Sequence, residues 1–341
     1  MGDMLNVRQH SILENVSDRA FAIGFFALVT LELVAGYFVW DNFYGAPWLS
    51  ALDMILIFGG LLVLGVGYRL DGKKSHLTTM VGWIIFAAYW AMQPAQLYWS
   101  EGGDIVNALF CIIGVYVLMY LAYQELGLYY TDSENPNMRW MAGASFIIGW
   151  IYFVIEKVPS IASALIYSVA QQTVWILNAF GLPAYIQPGE TLWNSVNGCN
   201  VLYPGFDGAI TIILACTGIQ SMAIFIGAIV CLQPGKSTGG LKEPLHSRKW
   251  KGFLATVPVI YGLNLLRNVL IIWLVCGLKW DFSLAHNIIG KGGALLALIV
   301  IAFIIFELLP ELYDTIYGLF GLPRENGPIE RTIGTYKGPR Y

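Results

Sequence analysis

The hydrophobic pattern comes in long blocks, not in the alternation of strands or the short stripes of surface helices. Eight blocks are long and apolar enough, or nearly so, to cross a bilayer as helices of about 20 residues. They run roughly over residues 21–40, 49–68, 77–97, 105–123, 140–155, 211–232, 253–278 and 286–309. A ninth stretch, 161–180, is interrupted by Gln171, Gln172 and Asn178. It reads as an amphipathic helix lying near the membrane surface. After it, residues 183–207 carry Pro, Gly and Asn punctuation and read as loop or short hairpin.

The placement of Lys and Arg orients the spans. With eight spans and both termini inside, fifteen of the nineteen basic residues fall in cytoplasmic segments. They include Arg8, Arg69, Lys73, Arg139, Lys236, Lys242, Arg248, Arg324, Lys337 and Arg340. Lys157 and Lys279 fall outside, and Arg267 and Lys291 lie within spans. The expected fold is therefore an all-α, polytopic membrane protein, N-in and C-in. It divides into spans one to five over 1–157, an extracytoplasmic amphipathic helix and loop over 158–210, spans six to eight over 211–309 and a cytoplasmic tail over 310–341. Glu14 and Asp18 precede the first block, where a secretory signal would carry basic residues, so that block reads as a permanent helix.

Composition sharpens this picture. Of the 341 residues, 57% are hydrophobic and only 12% charged, about half the charged share of a soluble domain. A net charge of −3 gives no reason to expect nucleic acid as a partner. The five cysteines contain no CxxC pair, and His10, His76 and His246 show no metal spacing, so no metal or other cofactor is expected. Gly235-Lys236-Ser237 resembles a phosphate-loop ending, but Val230 stands where that motif needs glycine.

Charged groups inside spans are costly and are retained for a reason. Glu32 and Asp53 read as polar contacts between the first two helices. Arg267, flanked by Asn264 and Asn268, is a permanent cation well inside the seventh block and needs a partner, water or an anion. Cys216 lies in Ala215-Cys216-Thr217-Gly218, an unusually polar and small turn near the outer end of the sixth block. His286 opens the eighth. Thiol, guanidinium and imidazole thus fall on three consecutive spans. A thiol beside a cation ionises more readily, an imidazole moves protons near neutral pH, and an arginine holds a developing oxyanion. The set suits acyl transfer from a peptide bond. Cys111, Cys231 and Cys276 lack polar neighbours and read as packing residues; Cys199 lies in the outside loop.

In order and wording, Ala215-Cys216-Thr217-Gly218, Leu266-Arg267-Asn268 and Leu284-Ala285-His286-Asn287 resemble the exosortase/archaeosortase family over roughly residues 158–309. The resemblance implies a cell-membrane cysteine transpeptidase of archaeal type, with its site near the outer face. Its partners would be the C-terminal tails of secreted, surface-layer-type proteins, built from a Pro-Gly-Phe-type motif, an apolar helix and a basic end. A membrane lipid would be the acceptor. It assigns the nucleophile to Cys216, the oxyanion or carbonyl holder to Arg267 and the acid/base to His286, with Thr217, Gly218, Asn264 and Asn268 in support. The internal Pro204-Gly205-Phe206 lacks a following tail and reads as coincidence. Two other readings compete: a transporter using Glu32, Asp53 and Arg267 as pathway charges, and a lipid-dependent acyltransferase. The transporter reading lacks the repeated halves such proteins often carry.

Overall fold

The computed structural model describes residues 17–99, 103–234, 243–324 and 327–334. Arg8, His10, Glu14, the Gly235-Lys236-Ser237 segment, Lys242, Lys337 and Arg340 lie outside the described residues. The chain divides into two compact units, Met1–Phe146 with Thr315–Tyr341, and Ile147–Asp314.

The first unit contains α1 (Asp18–Phe43), α2 (Pro47–Arg69), α3 (Gly72–Trp99), α4 (Ile105–Thr131) and the start of α5 (Pro136–Lys157). Ser17 caps α1 by accepting from the Ala20 N–H at 3.2 Å, and Pro47 opens α2 at a position where no N–H is required. In lipid, helices gain little from apolar burial and associate by close packing at small residues. A methyl group at Gly60 would stand 2.9 Å from the Phe86 backbone, and one at Gly82 the same distance from Leu64. Glycine at both places lets α2 and α3 pack backbone to backbone.

Several polar groups buried in this unit are paired. His76 Nδ1 lies 2.7 Å from Glu125 Oε2. The chain's last described helix, α12 (Pro328–Ile333), returns to the same unit. Its buried Glu330 accepts from Tyr120 OH at 2.5 Å, Gln124 Nε2 at 2.8 Å and Tyr123 OH at 3.1 Å. Arg331 forks onto both carboxylate oxygens of Asp18 at 2.7 Å.

The second unit contains the rest of α5, then α6 (Pro159–Ala179), a small antiparallel sheet, α7 (Ile219–Cys231), α8 (Leu245–Ile272), the short α9 (Phe282–Ala285), α10 (Ala294–Leu308) and the start of α11 (Pro310–Leu319). α8 continues as a π-helical turn over Trp273–Gly277, and a second π segment, His286–Gly293, joins α9 to α10. The punctuated outside segment forms β1 (Tyr185–Ile186), β2 (Cys199–Leu202) and β3 (Ile210–Ile212), in the order β1-β2-β3 with Tyr185 opposite Leu202 and Cys199 opposite Ile212. The core joins Ile166, Val169 and Leu177 of α6 to Val201, Ile212, Ile272 and Val275. Arg248 of α8 forms a buried ion pair with Glu311. Burial pushes the Glu311 carboxyl up, but its hydrogen bonds to the guanidinium prevail and hold it below the ordinary carboxylate range.

Seven helices among the described residues are long and apolar enough to cross a membrane: α1, α2, α4, α5, α6, α8 with its π turn, and the α9–α10 helix. The chain is an all-α multi-pass membrane protein. The membership of that set differs from the eight blocks read from sequence. α3 has the length, at 28 residues, but Lys, His, Ser, Thr and Gln dilute its hydropathy. α6 is long and apolar enough to span; it buries Ala162, Ile166, Val169, Ala170, Thr173 and Leu177 along one stripe. The sixth block is not one helix. Its first part pairs as β3, its middle is a 3-10 turn over Leu214–Thr217, and only Ile219–Cys231, 13 residues, is α-helical. The left-handed Gly218, with φ +77°, separates turn from helix.

Candidate active site

Cys216 therefore sits in the turn ahead of a helix rather than within a span. The turn is built locally. The Cys216 N–H donates to Ile213 O at 2.8 Å, and Thr217 Oγ1 donates to Leu214 O at 2.7 Å. The turn must reverse at Gly218, where a side chain is strained by the positive φ. Space demands glycine as well: a methyl group there would lie 2.1 Å from Asn264 Nδ2. Asn264 is itself turned toward α7 with its amide donating to Ile260 O at 3.1 Å.

One side chain links the turn to the arginine. Asn268, buried, donates from Nδ2 to Cys216 O at 3.0 Å, while its Oδ1 accepts from Arg267 Nη2 at 3.3 Å. Arg267 lies ten residues before Gly277, the end of the π turn, or about 15 Å along the axis. Its Nε is buried and has no hydrogen-bond partner among the described residues. Among the described residues this N–H is left available to an acceptor.

Arg267 opens on a cavity of about 360 Å³. Gln220, Ser221 and Asn264 share its polar end. Ile260, Leu263, Ala294, Ala297, Leu298 and Ile301 form an apolar wall. Gln220 Nε2 donates to Tyr152 OH at 3.1 Å, which fixes its amide. Ala215 and Gly218, on either side of Cys216–Thr217, line the cavity, whereas Cys216 and His286 stand outside its lining.

The thiol of Cys216 is half-buried and free. It packs on the same apolar cluster as Ala285 and Ile289, the neighbours of His286. His286 stands at the start of the π segment. Its ring stacks on Phe282, with centroids 5.5 Å apart and planes 21° apart. Gly290 leaves room for it: a methyl group there would lie 3.3 Å from His286 Nδ1. Arg267 and Lys291 are the charged groups that act on the ring. No hydrogen bond joins the thiol, the guanidinium and the imidazole directly among the described residues.

The remaining candidates separate. Glu32 and Asp53 belong to the first unit, where Asp53 accepts from Gln93 at 3.4 Å, and Arg267 belongs to the second. Cys199, Cys111 and Cys276 are buried free thiols, and Cys231 is buried. Burial, with Glu190 nearby, pushes the Cys199 thiol up to about 11. Sequence reasoning missed the cavity, the Gln220–Tyr152 bond and both π segments. Gly290, Gly292 and Gly293 are the local signal in the sequence for the second π segment.

The profile of the transmembrane exosortases (Exosortase_EpsH) matches residues 75–305. Archaeosortase A of Haloferax volcanii is 23% identical over 304 residues, covering 79% of this chain and 92% of that protein. Archaeosortase A of Natronomonas pharaonis is 24% identical over 296 residues, covering 79% and 87%. No solved structure matches. Matching profile and full-length relatives together, the chain belongs to the transmembrane exosortase family.

Proposed function

We propose that this chain is an archaeal membrane cysteine transpeptidase, acting near the outer face on C-terminal sorting tails of secreted surface proteins and transferring them to a membrane lipid. The observation that carries the reading is the Cys216–Asn268–Arg267 chain of hydrogen bonds, which ends on an unpaired guanidinium N–H beside a cavity.

In this reading His286 takes the Cys216 thiol proton and the thiolate attacks the carbonyl carbon of the scissile peptide bond. Negative charge moves to the carbonyl oxygen, which the free N–H groups of Arg267 hold. The C–N bond breaks as His286 returns the proton to the departing amine, leaving a thioester on Cys216. A lipid nucleophile then attacks the thioester, gives its proton to His286 and frees the thiolate. Asn268 positions both ends: it holds the Cys216 carbonyl and the guanidinium from one buried amide. Thr217, Gly218 and Asn264 keep the turn in place. The stack on Phe282 and the space above Gly290 fix the plane of the His286 ring.

The test is co-expression with a substrate bearing a Pro-Gly-Phe tail, an apolar helix and a basic end. Mass measurement of the product should show a new C-terminus near the motif, carrying added lipid mass. An uncut tail in cells holding membrane-inserted enzyme overturns the reading.

A further inference from the structure

The cavity beside Arg267 has a shape and a lining that the peptide chemistry does not use. The side chains of its lining are apolar apart from Gln220, Ser221, Asn264 and Arg267. Along the apolar wall an extended peptide fits poorly, because its backbone N–H and C=O groups need partners and Ile260, Leu263, Ala294, Ala297, Leu298 and Ile301 offer no side-chain donor or acceptor. A single hydrocarbon chain needs none.

The entrance and the charge select further. Leu263 and Leu266 of the lining are 38% and 51% exposed on the apolar surface of α8, the surface that meets lipid in a bilayer. At the polar end stands one cation, Arg267. No carboxylate lines the cavity. A guanidinium carries five N–H donors. Only the bond to Asn268 engages one of them among the described residues, which leaves donors for a peptide carbonyl and for a second anionic oxygen. Arginine matches phosphate in this geometry.

We propose that the cavity is a phospholipid site: one hydrocarbon chain lies along Ala294, Ala297, Leu298 and Ile301, and the phosphodiester meets Arg267. In its biological role this rests on the lipid-transfer reading above, and it specifies where the lipid lies and which part of it is read. The lipid's phosphate and the scissile carbonyl share one guanidinium, which brings acceptor and acyl group to the same cation.

The test uses full-length, detergent-purified protein without any tail substrate. It is titrated with dioleoyl phosphatidylglycerol, with dioleoyl glycerol (the same chains, no phosphate) and with glycerol phosphate (phosphate, no chains), and complexes are read by native mass spectrometry. Phosphatidylglycerol should bind one to one and the other two about tenfold or more weakly. Arg267→Gln should bring phosphatidylglycerol down to the dioleoyl glycerol level. Ala297→Trp fills the wall and should weaken the lipid about tenfold or more; if its melting temperature falls, Ala294→Leu takes its place. Equal binding of the three probes, or lipid binding unchanged by filling the cavity, overturns the proposal. Tail cleavage is measured on the same preparations. Cleavage without lipid binding removes this inference alone; lipid binding that depends on Arg267 and Ala297 without cleavage removes the transpeptidase reading and keeps the site.

Discussion

Two sites, one in each unit, treat their buried polar groups in opposite ways. In the first, Glu330 is covered by two tyrosine hydroxyls and a glutamine amide, and His76 by Glu125. In the second, Arg267 spends one N–H on Asn268 and leaves Nε with no partner. The backbone follows the same division. The described part of the first unit up to α5 is regular α-helix, whereas the second interrupts its helices with a sheet, a 3-10 turn and two π segments. A satisfied network holds a structure in place. An unsatisfied one, set among irregular backbone, holds a place for something else.

The largest expected effect tests the nucleophile. Cys216→Ala should abolish tail processing while the protein remains in the membrane. A membrane-impermeant thiol reagent at pH 8 should label the wild type and spare the Ala variant. Cys199 should stay unlabelled there, because a thiol raised to about 11 is almost wholly protonated three units below. Full processing by the Ala variant excludes Cys216 as nucleophile.

Arg267→Lys keeps the charge and loses the planar fork. If the arginine holds an oxyanion, its replacement should lower the processing rate by about 10²–10³, with normal expression and normal substrate co-purification. Near-normal rates would leave only a simple electrostatic role.

Much of this division was legible in the sequence, and the reasons are specific. Apolar blocks with flanking Lys and Arg reveal spans because lipid demands both. Cys216, Arg267 and His286 stood out because polar groups at such depth are expensive. The sixth block misled for a physical reason. Residues 211–217 are as apolar as a span, but β2 offers Ile210–Ile212 a ladder, and the Gly218–Asn264 contact requires a reversal. Tertiary partners decide such short apolar runs, and hydropathy does not see them. The cavity was hidden because its wall consists of ordinary Leu, Ile and Ala.

Gly218→Ala probes the irregular side of the comparison. The left-handed φ and the 2.1 Å approach to Asn264 should together cost about 1–3 kcal/mol. The turn should shift, so processing falls and the Cys216 thiol changes its alkylation rate. Full activity with an unaltered alkylation rate would show that the turn does not need this geometry.

The paired side should respond in stability alone. Glu330→Gln removes one of the acceptors that serve Tyr120, Tyr123 and Gln124 and should cost about 1–3 kcal/mol, read as a lower melting temperature in detergent. The processing rate of the folded protein should not change. A rate loss without a melting shift would break the comparison, because it would make a satisfied network part of the chemistry.

Glu32 is the smallest effect and the sharpest control. It sits in α1 with one oxygen, Oε2, buried and unpartnered, as is Trp83 Nε1 of α3, so the first unit has exceptions of its own. Two accounts of that oxygen differ in outcome. If Glu32 is a pathway charge, removing its ionisable group stops function, since glutamine carries no proton at any working pH. If it is a polar contact in a packed helix pair, Glu32→Gln keeps shape and hydrogen bonding and removes only the cost of a carboxyl in an apolar setting. The second account predicts a melting temperature equal to or slightly above the wild type and an unchanged processing rate, within about 0.5 kcal/mol in stability. Lost processing by a stably inserted Glu32→Gln protein would place a working group in the first unit, and burial without a partner would then mark function on both sides of the molecule.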